Sequence, residues 1–320
     1  MSAVSIMRYP PPGRLVDVGT HHLHLRCSGA GQPAVVFDSA LGGSSLSWTL
    51  VYPALAGLTQ TCVYDRAGFG WSEAGPLPRT AGRIADELEE LLRSAAVPGP
   101  YVLVGHSYGG LVMRLFASRH PTRTAGLVLI EPAIPEEWAD PNDERRALIE
   151  RGVQLCEYGA WAAQRGLARL VSVLVSLGTL GAARALVGAI SRGGIGREEE
   201  AILAPVWKLP ADARRPLKQM WTERRFFEAL GSQIETLSES ARQLMNEATG
   251  GYDGLPLAVV TSDTATEHRQ QADAALARSS SRGRHVIAPL SGHWIPLDAP
   301  QTVIETIGAI VHEARRLRRF

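Results

Sequence analysis

The chain has 320 residues, a formal net charge of +1, 45% hydrophobic and 20% charged residues. That balance is ordinary for a soluble globular protein and gives no global attraction for nucleic acid or an anionic membrane. The length suits one core plus an insertion. Three cysteines, Cys27, Cys62 and Cys156, lie far apart with no CxxC pair. An odd, scattered set predicts neither a disulfide framework nor a metal site, and it suits a reducing, cytoplasmic compartment. Residues Met1 to Gly13 carry no apolar run with a cleavage site, so no signal peptide is expected. Lysine occurs only at Lys208 and Lys218, which marks coding bias and not a basic binding surface.

Gly13 to Val18 and His21 to Arg26 alternate and are joined by Gly19-Thr20, the pattern of an opening hairpin. Ala34 to Ser39 reads as a third strand, followed by a Gly-Ser loop and a helix around Trp48 to Gly57. Thr61 to Tyr64 reads as a strand ending at Asp65, and Thr80 to Ala96 as a helix with Ile84, Leu88, Leu91 and Leu92 on one face. Tyr101 to Val104 is a predicted strand, Leu111 to Arg119 a helix stopped at Pro121, and Ala125 to Ile130 another strand. This alternation predicts a parallel sheet wrapped by helices. The rhythm then stops, and 133–253 reads as helices inserted between two core segments, 1–132 and 254–320. Within the insertion, Leu170 to Ala183 is the most apolar stretch, too short for the roughly 20 residues of a membrane span. Leu257 to Val260 and His285 to Ala288 read as strands, His268 to Leu276 and Val303 to Leu317 as helices.

Gly105-His106-Ser107-Tyr108-Gly109 is a G-x-S-x-G between a predicted strand and a predicted helix. A serine on so sharp a turn projects Oγ from the strand end, and glycines on either side allow strand and helix to approach. Serine needs a base. Of nine histidines, His293 in Ser291-Gly292-His293-Trp294 directly follows the last strand, where a loop can return its imidazole over Ser107. His21, His22 and His24 lie in the hairpin, His106 packs beside the nucleophile, His120 ends a helix, and His268, His285 and His312 fall in regular elements. A tetrahedral intermediate needs two N–H donors. One should come from Tyr108 at the positive end of its helix, the other from the loop Ser39 to Gly43, with Leu41 as the candidate.

The run Tyr64 to Ser72, the elbow at Ser107, and Ser291-Gly292-His293 with Pro300 beyond together resemble the α/β-hydrolase family. The resemblance implies an eight-stranded, mostly parallel sheet with an inserted helical cap, and the chain order nucleophile first, histidine last. Many members carry His-Gly after the third strand where this chain has Ser39-Ala40, so the oxyanion loop should be braced differently. The Asp65-Arg66 pair is structural in such proteins. Locally, Glu131 to Asp140 is similar to haloalkane dehalogenases, which use an aspartate at the elbow. Ser107 cannot form their ester intermediate, and Leu41 stands where they offer an asparagine to the halide.

The triad acid has two candidate strand ends. The usual site in this fold follows Leu257 to Val260, where Ala265 occupies the expected position and Asp263 comes two residues early. The other follows Ala125 to Ile130 and holds Glu131, the site used by relatives in the dehalogenase group. Glu131 is the assigned acid and Asp263 the alternative. The expected activity is cofactor-free hydrolysis of a carboxylic ester or lactone of a small, apolar substrate. Amidase, perhydrolase and carbon–carbon hydrolase share this machinery, and a ligand-sensing protein with vestigial turnover is the alternative from another class. Oligomeric state is not legible.

Overall fold

The computed structural model describes residues 9–176, 208–248 and 251–318. Eight strands form one sheet in the order β1-β2-β4-β3-β5-β6-β7-β8. They are β1 (Arg14–Asp17), β2 (His22–Ser28), β3 (Ala34–Asp38), β4 (Thr61–Tyr64), β5 (Tyr101–His106), β6 (Thr124–Ile130), β7 (Leu257–Ser262) and β8 (Gly283–Ala288). The hairpin β1–β2 and the pair β2–β4 are antiparallel, and every later pairing is parallel. The central strands β3 to β7 are buried along their whole length because helices cover both faces, which is why they read as unbroken apolar runs.

The helices are α1 (Tyr52–Leu55), α2 (Ala81–Ser94), α3 (Tyr108–Arg119), α4 (Pro135–Ala139), α5 (Asp143–Gln164), α6 (Leu167–Ser176), α7 (Ala211–Met220), α8 (Arg224–Glu235), α9 (Leu237–Glu247), α10 (Glu267–Ala277), α11 (Ile295–Asp298) and α12 (Pro300–Arg318). On one face the apolar stripe of α2, including Ile84, Leu88 and Leu91, packs with Leu111, Leu115 and Phe116 of α3 against β5 and β6. On the other, Val303, Ile307 and Ile310 of α12 close over Val102, Val128 and Val260. Thr80 caps α2 by accepting from the Arg83 amide, so the helix begins where the side-chain chemistry allows. The helix expected at Trp48 to Gly57 is instead a 3-10 turn at Ser45–Trp48 and the single turn α1.

No strand occurs among the described residues of 133–253. Of the apolar stretch Leu170 to Ala183, residues 177–183 lie outside the described residues, as does the charged run Arg197 to Glu200. Helices α8 and α9 are docked on the start of α2. Ser232 and Ser240 hydroxyls accept from the Arg79 and Ala81 amides, and Gln243 Oε1 accepts from Gly82, at the start of α2. Among the described residues no helix is long and apolar enough to cross a membrane.

The cysteine expectation is corrected. Cys27 and Cys62 are register partners across β2–β4 and form a disulfide, while Cys156 is free and buried. Spacing could not show this, because 35 residues and a whole parallel strand separate two positions that only sheet order brings opposite. The bond removes the cysteine argument for a reducing compartment, on which the cytoplasmic expectation rested.

Candidate active site

β5 delivers Ser107 at φ 54 and ψ −117, a backbone region that costs a non-glycine residue about 1–3 kcal/mol. Neighbouring main chain holds it there. The Ser107 N–H donates to Ile130 O at 2.9 Å, and Ser107 O accepts from Gly110 and Ala133 amides at 2.9 and 3.1 Å. The elbow glycines are sterically required. A Cβ at Gly109 would lie 2.6 Å from Asp38 O, and one at Gly105 would lie 2.5 Å from Gly109 O. Bare Cα atoms therefore let the end of β3 approach α3.

Tyr108 opens α3 directly after the serine, three residues earlier than the apolar spacing suggested. Its N–H is among the first four of the helix, which have no intrahelical acceptor. The loop after β3 is braced as its departure from His-Gly requires. Ser39 Oγ donates to Ser44 O at 2.8 Å and accepts from Trp48 Nε1 at 3.0 Å. Buried Arg66 donates from Nε to Asp38 at 2.8 Å, from Nη1 to Ala40 O at 3.4 Å and from Nη2 to Ser39 O, while its guanidinium lies 4.9 Å over the Tyr108 ring. Asp65 accepts from Ser45 N, Trp71 N and His24 Nδ1. Arg66 thus holds the Ser39 and Ala40 carbonyls before Leu41 and Asp65 holds the Ser45 N–H after it, and the turn between them closes with a bond from Gly43 N to Ala40 O.

β6 delivers Glu131 just past its end, also at positive φ (44°), and the Glu131 N–H donates to Val260 O at 2.9 Å. Its Oε2 lies 3.5 Å from His293 Nδ1, and its Oε1 accepts from Ser262 N at 2.7 Å. Burial pushes the Glu131 carboxyl up, but the His293 side chain, the Ser262 amide and the Arg269 charge outweigh it and hold it below the ordinary carboxylate value. A histidine whose Nδ1 faces a carboxylate keeps Nε2 free to take a proton. Asp263 does not reach the imidazole; its carboxylate accepts the amides of Leu290 and Ser291 instead.

Two residues near the site were not singled out for a role there. His106 is fully buried, and its Nε2 lies 2.8 Å from the His293 carbonyl oxygen, so that nitrogen carries the proton. Its ring sits 5.0 Å from the His293 ring and 5.1 Å from Trp294. Burial, with the charges of His293 and Arg269, drives His106 well below the ordinary imidazole value, so it stays neutral. Arg269 donates from Nε to Asp273 at 2.9 Å and from Nη2 to Pro132 O, the carbonyl next to Glu131. The Arg269–Asp273 pair has helical i,i+4 spacing and was legible; no spacing links residue 106 to 293. Among the described residues no cluster of three or more His, Cys, Asp or Glu is placed to hold a metal ion.

A family model described as alpha/beta hydrolase fold matches residues 33–300. A relative named "Probable transporter efuK" from Hormonema carpetanum is 40% identical over 112 residues, 33% of this chain and 16% of its own length. An "AB hydrolase superfamily protein" from Gibberella zeae is 34% identical over 104 residues, 31% of this chain and 32% of its own length. The chain thus matches well under half of either relative. Among solved structures, a thermophilic esterase from Thermogutta terrifontis superposes with a TM-score of 0.63 at 19% identity, covering 94% of this chain and 99% of that one. At that identity the likeness speaks to the fold alone.

Proposed function

Because this chain belongs to the alpha/beta hydrolase fold family, we propose that it is a serine hydrolase that cleaves a carboxylic ester or lactone through an acyl-enzyme. His293 Nε2 takes the proton of Ser107 Oγ as the oxygen attacks the acyl carbonyl. The Leu41 and Tyr108 amides stabilise the oxyanion that forms. His293 then protonates the leaving alkoxide, and a water molecule repeats the sequence to release the acid and free Ser107. Glu131 holds the imidazole in the tautomer with Nδ1–H and stabilises the imidazolium. The helices of 133–253 form a cap that sets substrate size.

The observation that supports this most is the meeting of the adjacent ends of β5 and β6 with the loop after β8, with Ser107 held at φ 54 beside a buried Glu131 3.5 Å from His293. Residues serving packing alone would not need two strained backbones on neighbouring strands. The cap is supported by α8, since Leu230 would lie 3.4 Å from a side chain begun at Gly42, within the oxyanion loop. Turnover of p-nitrophenyl acetate and butyrate, lost in Ser107→Ala, tests the proposal. Wild-type protein that binds these esters without turning them over would overturn it.

A further inference from the structure

The loop that brings His293 over the elbow, Pro289 to His293, has no regular structure of its own. Leu290 within it stands at φ 54, in the left-handed region, and its side chain is 92% exposed, so packing does not hold it there. The residues after β7 hold it instead. Asp263 Oδ2 accepts the Leu290 N–H at 2.7 Å, and Oδ1 accepts the Ser291 N–H at 3.1 Å. The Ser291 carbonyl receives the Thr264 hydroxyl at 3.0 Å and the Ser262 hydroxyl. Asp263 is tied in turn by its own N–H to Ala288 O at 3.1 Å. The Ser291 peptide is therefore gripped at both its N–H and its C=O, two residues before the imidazole that Glu131 meets from the other side.

We infer that Asp263 is a positioning residue for His293, acting through the main chain of Leu290 and Ser291. The strand end at which this fold usually carries its acid then guides the backbone of the histidine, while Glu131 guides its side chain. This rests on the proposal that His293 is the general base of Ser107. A carboxylate that accepts two consecutive amides makes charge-assisted bonds. Without them Leu290 can relax to negative φ, and everything that follows it in the loop shifts. A misplacement of the order of 1 Å can cost roughly 100-fold in rate.

The test compares kcat and KM on p-nitrophenyl butyrate, together with melting temperature, for wild type, Asp263→Asn, Asp263→Ala and Ser107→Ala. Asp263→Ala should lose roughly 10- to 100-fold in kcat with KM and melting temperature nearly unchanged. Asp263→Asn keeps one acceptor oxygen and should fall between alanine and wild type. Hydrogen exchange of the 289–294 peptide, which needs no turnover, should be faster in Asp263→Ala. Unchanged exchange overturns the inference, and so does a loss of kcat that only follows a loss of folded protein. A loss of about 10⁴ in Asp263→Asn also overturns it, because that is the effect expected of the acid itself. Turnover that persists in Ser107→Ala is a separate outcome, which sinks the serine hydrolase proposal whatever Asp263 does.

Discussion

Ser107 and Glu131 share an uncommon feature: each is a non-glycine residue at positive φ immediately after the end of a buried parallel strand. The serine was legible because glycines at fixed offsets announce the turn. Glu131 was legible only as one of two carboxylates, since sequence cannot tell which strand end points at the histidine loop. The Glu131 carboxyl sits below its ordinary value of 4.5 in the fold and returns to about that value when unfolded. Its contribution to stability is therefore complete above about pH 4.5 and is lost as pH falls through the lowered folded value. The melting-temperature gap between wild type and Glu131→Gln should be widest above about pH 5 and narrow as pH is lowered below 4.5. A gap independent of pH would contradict this. The same substitution should lower kcat by about 10⁴. At the elbow, serine in place of aspartate predicts no halide release from 1-bromoalkanes; release above a Ser107→Ala control would show otherwise.

At the scale of elements, strands β3 to β7 could be read from apolar runs, and their parallel direction followed from the alternation of strand and helix. Helix α3 was placed three residues late because Gly109 and Gly110 look unlike a helix interior. They are there for closeness, since Gly109 leaves no room for a Cβ against Asp38 O. Gly109→Ala should therefore destabilise by about 1–3 kcal/mol through overpacking, read as a lower urea midpoint. It should also lower kcat, by moving the oxyanion loop off the head of α3. An unchanged midpoint would mean that β3 and α3 can separate without cost. The disulfide between β2 and β4 was hidden because it joins strands that are neighbours only in space. Cys62→Ala opens a bond across 35 residues and should cost roughly 3–4 kcal/mol by the chain-entropy account, with wild type in reductant showing the same midpoint.

Across the whole molecule, the neighbouring ends of β5 and β6 meet the loop after β8, and Leu230 of α8 lies beside Gly42 in the loop after β3. The sequence loses its strand rhythm after residue 132, and no strand occurs among the described residues of 133–253. The docking of α9 onto the start of α2 was not legible, because it rests on single hydroxyl and amide side chains, Ser240 and Gln243. Substrate identity is still less legible, since the elbow sets the chemistry and not the shape of what it acts on. The most direct measurement is covalent labelling by a fluorophosphonate probe, followed by mapping of the modified peptide. The account predicts one modification per chain, at Ser107, with labelling abolished in Ser107→Ala and turnover of p-nitrophenyl butyrate lost in step. Equal labelling of Ser107→Ala, or modification at another serine with turnover intact, would contradict it.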